Sequence, residues 1–362
     1  MSTAPTPDHR DPFRAPTLAG ALFLWTLLLF AGCKEKEATP EWTESAPAPE
    51  APAEPVPPAP ESIPEPPAEP VTEEVPEEAV EEQADNRLRF VSYNLKNFLT
   101  SSRYKDGERT EKFKPDDEIA ALVKLVADAN PDVLGLCEIG TEDDLIELQT
   151  RLKAAGLDLP HHQHGGGVDV VRNLGLLSRL PITANSSPKN LNYSLQGTDL
   201  GMSRGILDTT IETEGGIIRF LGVHLKSKRE IPEADQELMR RNEAYLLRKH
   251  ADHILESAPG TLLCVYGDFN ETRRESPVRS IQGPSKSDRY LEPLSHKDSR
   301  GEVWTHYWDY QHVYSRFDYV LASRPLRSLF VQKLSRIIDD PEWSVASDHR
   351  PLLSVFKLEV KP

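Results

Sequence analysis

Cysteine is scarce: three residues in a chain of 362, too few for a disulfide framework. Cys137 ("LGLCEI") and Cys264 ("LLCVYG") sit inside apolar runs, where a free thiol behaves as a small buried hydrophobe. Long hydrophobic runs are lacking too. "LAGALFLWTLLLF" (18–30) is too short to cross a bilayer of about 30 Å as a helix, but has the length of a signal-peptide hydrophobic region. Internal repeats are absent. Basic residues are nearly missing from one stretch: residues 34–86 hold two Lys against fifteen Glu and one Asp, a charge of -14. Residues 1–33 sum to zero and the remainder to -2, so one segment carries nearly all of the net charge of -16. The low pI therefore does not argue against an anionic substrate for the rest of the chain.

That acidic stretch is rich in Pro, Glu and Ala and cannot build a core. A self-repelling, Pro-rich segment extends about 3 Å per residue, a reach on the order of 100–150 Å. The apolar run before it ends in "LFAGC", which resembles the lipobox of bacterial lipoprotein signal peptides: Leu29, Ala31 and Gly32 precede Cys33, the residue that would carry the lipid. Phe30 is bulkier than that pattern favours, and a plain cleaved signal or a short anchor is the alternative. Residues 1–33 are thus expected to be a lipoprotein signal, 34–86 a spacer, and 87–362 a single α/β domain outside the cytoplasm, monomeric and membrane-tethered.

Within 87–362, short apolar runs alternate with helical patterns. Strands are predicted at 88–93, 132–138, 174–179, 205–212, 217–225, 261–267, 316–323 and 352–360, with a hairpin turn at "TEGG" (213–216). Helices are predicted from Pro115, Glu142 and Ala234. The histidines of "HHQHGGG" (His161, His162, His164) read as a solvated loop rather than a metal cluster.

Several strand runs end in polar residues: Asn94 after "RFVSY", Glu138 after "DVLGLC", His224 in "GVHL", Asp268 and Asn270 in "YGDFN", Asp318 in "RFDYV", and Asp348 with His349 in "SDHRP". Each alone is an ordinary strand-end or turn residue. Together they suit a pocket, because strand ends of a layered sheet meet along one edge.

In this order, "FVSYNLKNF", "NPDVLGLCEIG", "NLGLLSRLPI", "GVHLKSK", "YGDFNET", "RFDYVLAS" and "SDHRPL" resemble the motif set of the endonuclease/exonuclease/phosphatase superfamily, which includes deoxyribonuclease I, exonuclease III, inositol polyphosphate 5-phosphatases and neutral sphingomyelinases. The resemblance spans most of 88–358 and departs at Cys137, where the family usually has Gln. It implies a four-layer sandwich of two packed mixed β-sheets flanked by helices, and divalent-metal-dependent phosphodiester hydrolysis, most simply by a nuclease. Phosphomonoesterases and sphingomyelinase-like phospholipases share that centre, and a binding module that has lost catalysis is the alternative of another class. Carried over, Asn94, Glu138 and Asp348 would hold Mg²⁺, with Mn²⁺ able to substitute. His349 would be oriented by Asp318, Asp268 and Asn270 would position the attacking water and a phosphate oxygen, and His224 would donate to the phosphoryl or leaving oxygen. Arg204 is the best placed cation for substrate phosphate. Lys226, Lys228, Arg229 and Arg103 with Tyr104 fit phosphate contact and plain solvation equally. The aromatic stretch 303–319 suits packing first, with stacking on a base or a lipid headgroup as the alternative.

Overall fold

The computed structural model describes residues 86–358, except 106, 107 and 233 and the side chains of 103–108. Cys33, the acidic stretch up to residue 85, and the side chains of Arg103 and Tyr104 lie outside the described residues. Strand β1 (Arg87–Phe98) is followed by a hairpin of β2 (Ser101–Lys105) and β3 (Glu108–Lys112), then α1 (Asp116–Ala129), β4 (Val133–Ile139) and α2 (Glu142–Ala154). Next come β5 (His161–Gly165), β6 (Asn173–Ser178), β7 (Ile182–Asn185), a small hairpin of β8 (Asn192–Leu195) and β9 (Thr198–Gly201), and the long hairpin of β10 (Ile206–Thr213) and β11 (Gly216–His224). Helix α3 (Gln236–Ser257), β12 (Leu262–Asp268), α4 (Ser276–Gln282) and β13 (Glu292–Pro293) follow. The chain closes with the hairpin β14 (His306–Trp308) and β15 (Val313–Ser315), then β16 (Asp318–Ala322), α5 (Arg324–Ser328), β17 (Arg336–Ile337), α6 (Trp343–Ala346) and β18 (Leu352–Lys357).

Two six-stranded mixed sheets result, in the orders β17-β18-β1-β4-β6-β5 and β13-β16-β12-β11-β10-β7. Strand alternation divides the buried side chains among three cores. Leu88 and Phe90 face Phe220, Cys264 and Tyr266 in the core between the sheets. Val91, Tyr93 and Leu95, on the opposite face of β1, pack with Leu122 and Leu125 of α1 and Leu145 and Leu148 of α2. On the far side, Leu221, Val223 and Val265 pack with Leu247 and Ala251 of α3 and Val278 of α4. Three cores between four layers are the expected sandwich. Both cysteines lie in the inter-sheet core as free, buried thiols.

The helix starts follow their caps. Thr141 and Asp144 form a reciprocal capping box ahead of α2, and the Asp235 carboxylate accepts the N–H groups of Glu237 and Leu238 at the start of α3. "TEGG" turns the β10–β11 hairpin, with Thr213 opposite Gly216. The histidine stretch corrects its expectation. His161–Gly165 is edge strand β5, paired antiparallel to β6. Gln163 anchors it from the buried side, donating to the Asp208 carbonyl at 3.2 Å and to Ser187 Oγ at 3.1 Å. The histidines are occupied elsewhere: His164 Nε2 lies 2.9 Å from the Gly140 carbonyl and His162 Nε2 lies 3.4 Å from Glu142.

Candidate active site

Strand direction brings the candidate residues together. β4 runs parallel to β1 and β11 parallel to β12, so Asn94, Glu138, His224 and Asp268 stand at carboxyl ends on one edge. Antiparallel pairing sets Asp318 opposite Asp268, and the residues entering β18 return to the same edge beside the end of β1. Local irregularities aim the side chains. Register breaks fall between Asn94 and Phe98 in β1 and between Cys137 and Ile139 in β4. Glu138 itself takes φ 63°, and Lys96, Asn97 and Asn270 also lie in the left-handed region. For side chains other than Gly this backbone is costly, and four such residues on one edge mark a place where geometry outranks local comfort. Regular alternation would send Glu138 into the helix-side core with Leu134 and Leu136; at the bulge Ile139 takes that place instead and Glu138 is released to the edge. Gly267 has φ 130°, and a Cβ there would collide with the Val223 carbonyl. Only glycine therefore lets β12 approach β11 while presenting Asp268 beyond its end.

Asp318 and His349 form the centre's best-defined pair, with Oδ2 2.8 Å from Nδ1 and both side chains buried. Thr305 Oγ1 accepts the Asp318 N–H at 3.1 Å, and Ser347 Oγ accepts the His349 N–H at 3.1 Å. Burial alone would favour the neutral ring, but the charge and hydrogen bond of Asp318 outweigh it, and Asp268 and Asp348 add to the pull; His349 is raised to about 10. In that state its Nε2–H is a charged donor, held by the bond on the other nitrogen.

Around the pair the polar groups interlock. Asp268 Oδ1 accepts the Asn270 N–H at 2.8 Å, and Oδ2 accepts from the Asn94 amide at 3.1 Å. His349 Nε2 stands 3.8 Å from Asp268, and His224 Nε2 3.5 Å. Asn270 Nδ2 donates to the Leu225 carbonyl at 3.0 Å, tying this turn to the segment after His224. Phe269, between Asp268 and Asn270, is buried against Tyr319 with ring centroids 5.2 Å apart. Burial pushes Asp268 upward; His349 opposes this, while Asp318 and Glu138 reinforce it. Burial, then the nearby Arg204 and the cationic His349, drives His224 well below the usual imidazole range. His224 is therefore neutral, and its buried Nδ1 has no hydrogen-bond partner among the described residues.

A cation fits this set. Glu138, Asp268, Asp318 and Asp348 crowd one edge against the imidazolium of His349, so negative charge is in excess; burial is the main cause of the upward push on Asp268, and Asp318 and Glu138 add to it. Asp268, Asp318 and His349 offer ligand atoms within 4.8 Å of one another. That triple is the weaker holder, because Asp318 and His349 are already bonded to each other. Glu138 is more open: Oε2 accepts the Asn97 N–H at 3.0 Å, and Asn94 Nδ2 lies 3.4 Å from Oε1. Asn94 Oδ1 accepts the Lys96 N–H at 3.1 Å, so its amide steadies Glu138 and Asp268 from the side. Asp348 is the most exposed carboxylate of the group, at 35 %, with Oδ1 4.0 Å from His349 Nε2. Hard oxygen ligands with room for water and phosphate suit a small divalent cation.

The cations are held unequally. Arg204 is buried, with Nε 3.3 Å from Asp169 Oδ2 but without hydrogen-bond geometry. Lys226 Nζ reaches the Arg229 carbonyl at 3.4 Å; burial and then Arg204 lower its pKa. Lys228 is committed to Glu271 at 2.5 Å. Four groups that the motifs did not single out also belong to this edge. Arg172 Nε is 3.9 Å from Glu138, and the His306 ring sits 4.6 Å from the His349 ring. Glu243 of α3, fully buried, accepts the N–H of Ser203 at 2.9 Å and of Lys226 at 2.6 Å. Arg240, one turn earlier, joins Glu271 at 2.9 Å to the Lys226 carbonyl at 3.1 Å. No local pattern marks Arg172 or His306. Arg240 and Glu243, three residues apart on one helix face, form a pattern that reads as solvent-exposed until the fold buries both.

Residues 91–349 match the model of the Endonuclease/Exonuclease/phosphatase family, whose enzymes hydrolyse phosphoester bonds with divalent metals. No curated protein sequence matches the chain significantly. Among solved structures, the human nocturnin catalytic domain with bound sulfate is similar with a TM-score of 0.52 at 18% identity, covering 76% of this chain and 95% of that one. Sphingomyelinase C from Streptomyces griseocarneus gives 0.51 at 13%, covering 75% and 99%. An endonuclease/exonuclease/phosphatase from Bacteroides vulgatus gives 0.52 at 14%, covering 75% and 99%. At these identities the likeness is one of fold.

Proposed function

We propose that this chain, which belongs to the Endonuclease/Exonuclease/phosphatase family, is a divalent-metal-dependent phosphodiester hydrolase, a nuclease, tethered outside the cytoplasm by a lipid on Cys33. The observation that carries the chemistry is the convergence of the Asp318–His349 pair with Asp268, Asn270, His224 and Glu138 on one sheet edge. Glu138 and Asp348 would hold Mg²⁺, or Mn²⁺ in its place, with Asn94 beside them, and the bound ion supplies positive charge to the phosphate. Asp268, with its proton affinity raised by burial, takes the proton of the attacking water, which the Asn270 amide helps to place. His349 donates Nε2–H to a phosphate oxygen, and neutral His224 donates to the phosphoryl or leaving oxygen. Arg204 and Lys226 add positive charge on the substrate side. The tether rests on the sequence of residues 1–86 alone.

A phospholipase reading is favoured by one observation. Val168, Val170 and Val171, just before Arg172, and Trp308, Tyr310, Val313 and Tyr314 of the β14–β15 hairpin are exposed, with Val170 at 85% and Tyr310 at 84%. Both loops border the candidate site, through Arg172 on one side and His306 on the other, and exposed apolar loops suit a lipid surface. A panel of plasmid DNA, RNA, a phosphomonoester and sphingomyelin vesicles, each with Mg²⁺, separates the readings. Turnover of DNA or RNA above the others supports the nuclease, vesicle turnover alone replaces it with the phospholipase, and inactivity on all four sinks both.

A further inference from the structure

Beyond the carboxylate edge, a cavity of about 550 Å³ opens between the outer strands of the two sheets. One wall is Gly165–Val168, following β5; the opposite wall is the segment from Asn185 to Asn192, following β7; its base is formed by Met202, Gly205 and Ile206 at the start of β10. Topology places it on the same edge as the candidate site. Ile206 pairs with Val223, next to His224, and Gly165 pairs with Leu174 of β6, whose first residue, Asn173, pairs with Ile139 beside Glu138. Arg204 links the two spaces: in sequence it directly precedes Gly205 at the base of the cavity, and its charge is the chief electrostatic influence on His224.

The cavity is built. A Cβ on Gly167 would collide with the backbone of Met202, Ser203 and Gly205, so the two walls meet there backbone to backbone. Val168 N donates to the Met202 carbonyl at 3.2 Å and Asp169 N to the Ser203 carbonyl at 2.7 Å, which fixes the junction. Three polar groups remain free to meet a ligand. Asn185 Oδ1 accepts the Ser187 N–H, leaving its NH₂ to donate. The Lys189 ammonium and the Asn192 amide form no hydrogen bond or ion pair among the described residues.

We propose that this cavity binds the nucleoside attached to the scissile phosphate, a proposal that rests on the nuclease reading above. Its volume lies in the range of small-molecule sites, roughly 300–1,000 Å³. Val168, Leu191, Met202 and Pro188 supply apolar walls for a flat ring. The donors of Asn185, Lys189 and Asn192 suit the carbonyl and ring-nitrogen acceptors on the edge of a base. The lining contains no carboxylate and no aromatic ring, the groups that recognise a quaternary ammonium headgroup. It holds one lysine, too little charge for a polyphosphate.

Two diesters with the same leaving group test this in the full chain: a nucleoside 5′-(p-nitrophenyl phosphate) and methyl p-nitrophenyl phosphate, each with Mg²⁺. The expected KM for the nucleoside ester is at least about tenfold lower, as one good set of contacts gives. Asn192→Trp, which fills the cavity, and Lys189→Glu, which reverses its charge, should each bring the ratio of the two KM values toward one. Equal KM values for the wild type, or variants that weaken both esters by the same factor, overturn the proposal. Binding of a nucleoside 5′-monophosphate to the His349→Ala chain is measured separately. If it is lost in Asn192→Trp while no diester is cleaved, the nuclease reading fails and the cavity assignment stands. If binding is absent or unchanged by Asn192→Trp, or if phosphocholine competes for it, the assignment fails.

Discussion

Glu243→Ala removes an acceptor that two separate active-site loops share. The fully buried Glu243 carboxylate takes the Ser203 N–H on one oxygen and the Lys226 N–H on the other, at 2.9 and 2.6 Å. Ser203 directly precedes Arg204, and Lys226 stands two residues after His224, so one helix side chain sets the positions of both. Ser203 and Lys226 are both buried, so neither amide faces bulk solvent. Each buried, unpaired donor costs about 1–3 kcal/mol, so the two together cost about 2–6 kcal/mol. Glu243→Gln keeps one carbonyl and turns an NH₂ toward the second donor, so its cost should be about half of that. Urea denaturation of the three proteins gives the stabilities directly. At temperatures where all are folded, the alanine variant should also lose about a hundredfold in kcat, the scale of a displacement near 1 Å in a catalytic group. An alanine variant destabilised by under about 1 kcal/mol, or a glutamine variant as damaged as the alanine one, would refute this role.

Other expectations are simpler. Asp268→Ala should abolish turnover while the domain stays folded, because the cost of leaving the Asn270 N–H and the Asn94 amide unpaired is partly offset by removing a carboxylate whose pKa burial raises; loss of the folded circular dichroism signal would contradict this. Glu138→Gln should raise the Mg²⁺ concentration for half-maximal activity by at least about tenfold, read by metal titration after chelation. His296, buried and then opposed by Arg316, is lowered to about 3, whereas the unfolded chain protonates it near 6.5. The unfolded state thus gains the proton first as pH falls, so this residue contributes no penalty above pH 6.5 and costs about 2 kcal/mol at pH 5. His296→Leu should flatten the pH dependence of stability between 6.5 and 5, and an unchanged slope would count against the assignment.

Much of the sandwich is written in hydrophobic periodicity. The alternation that sends Phe90 to one core and Val91 to another is visible in "RFVSY", and the helix starts at Glu142 and Gln236 follow from Thr141 and Asp235. Strand β5 is not legible, because its pairing depends on β6 and on Gln163 reaching Asp208, contacts remote in sequence, while its own residues read as loop. At the site, the residues closing strands are legible because strand ends share an edge. Arg172 and His306 are not: Arg172 arrives on the irregular segment before β6, and His306 opens the short strand β14, whose place beside His349 is set by tertiary pairing. Glu243 looks like any surface glutamate on a helix until the loops of Ser203 and Lys226 close over it. The turn "YGDFN" carries both meanings: Gly267 ends the strand as a turn residue should, and that ending is what delivers Asp268 and Asn270 to the edge.

The most direct measurement is the Mg²⁺-dependent hydrolysis of an activated phosphodiester by the full chain and by His349→Ala. The expected result is turnover that chelation abolishes and Mg²⁺ restores, falling by about 10²–10³ in the variant, as for loss of one charged donor to the transition state. Turnover that survives chelation, or a His349→Ala chain as active as the wild type, would contradict the assignment of this edge as the catalytic centre.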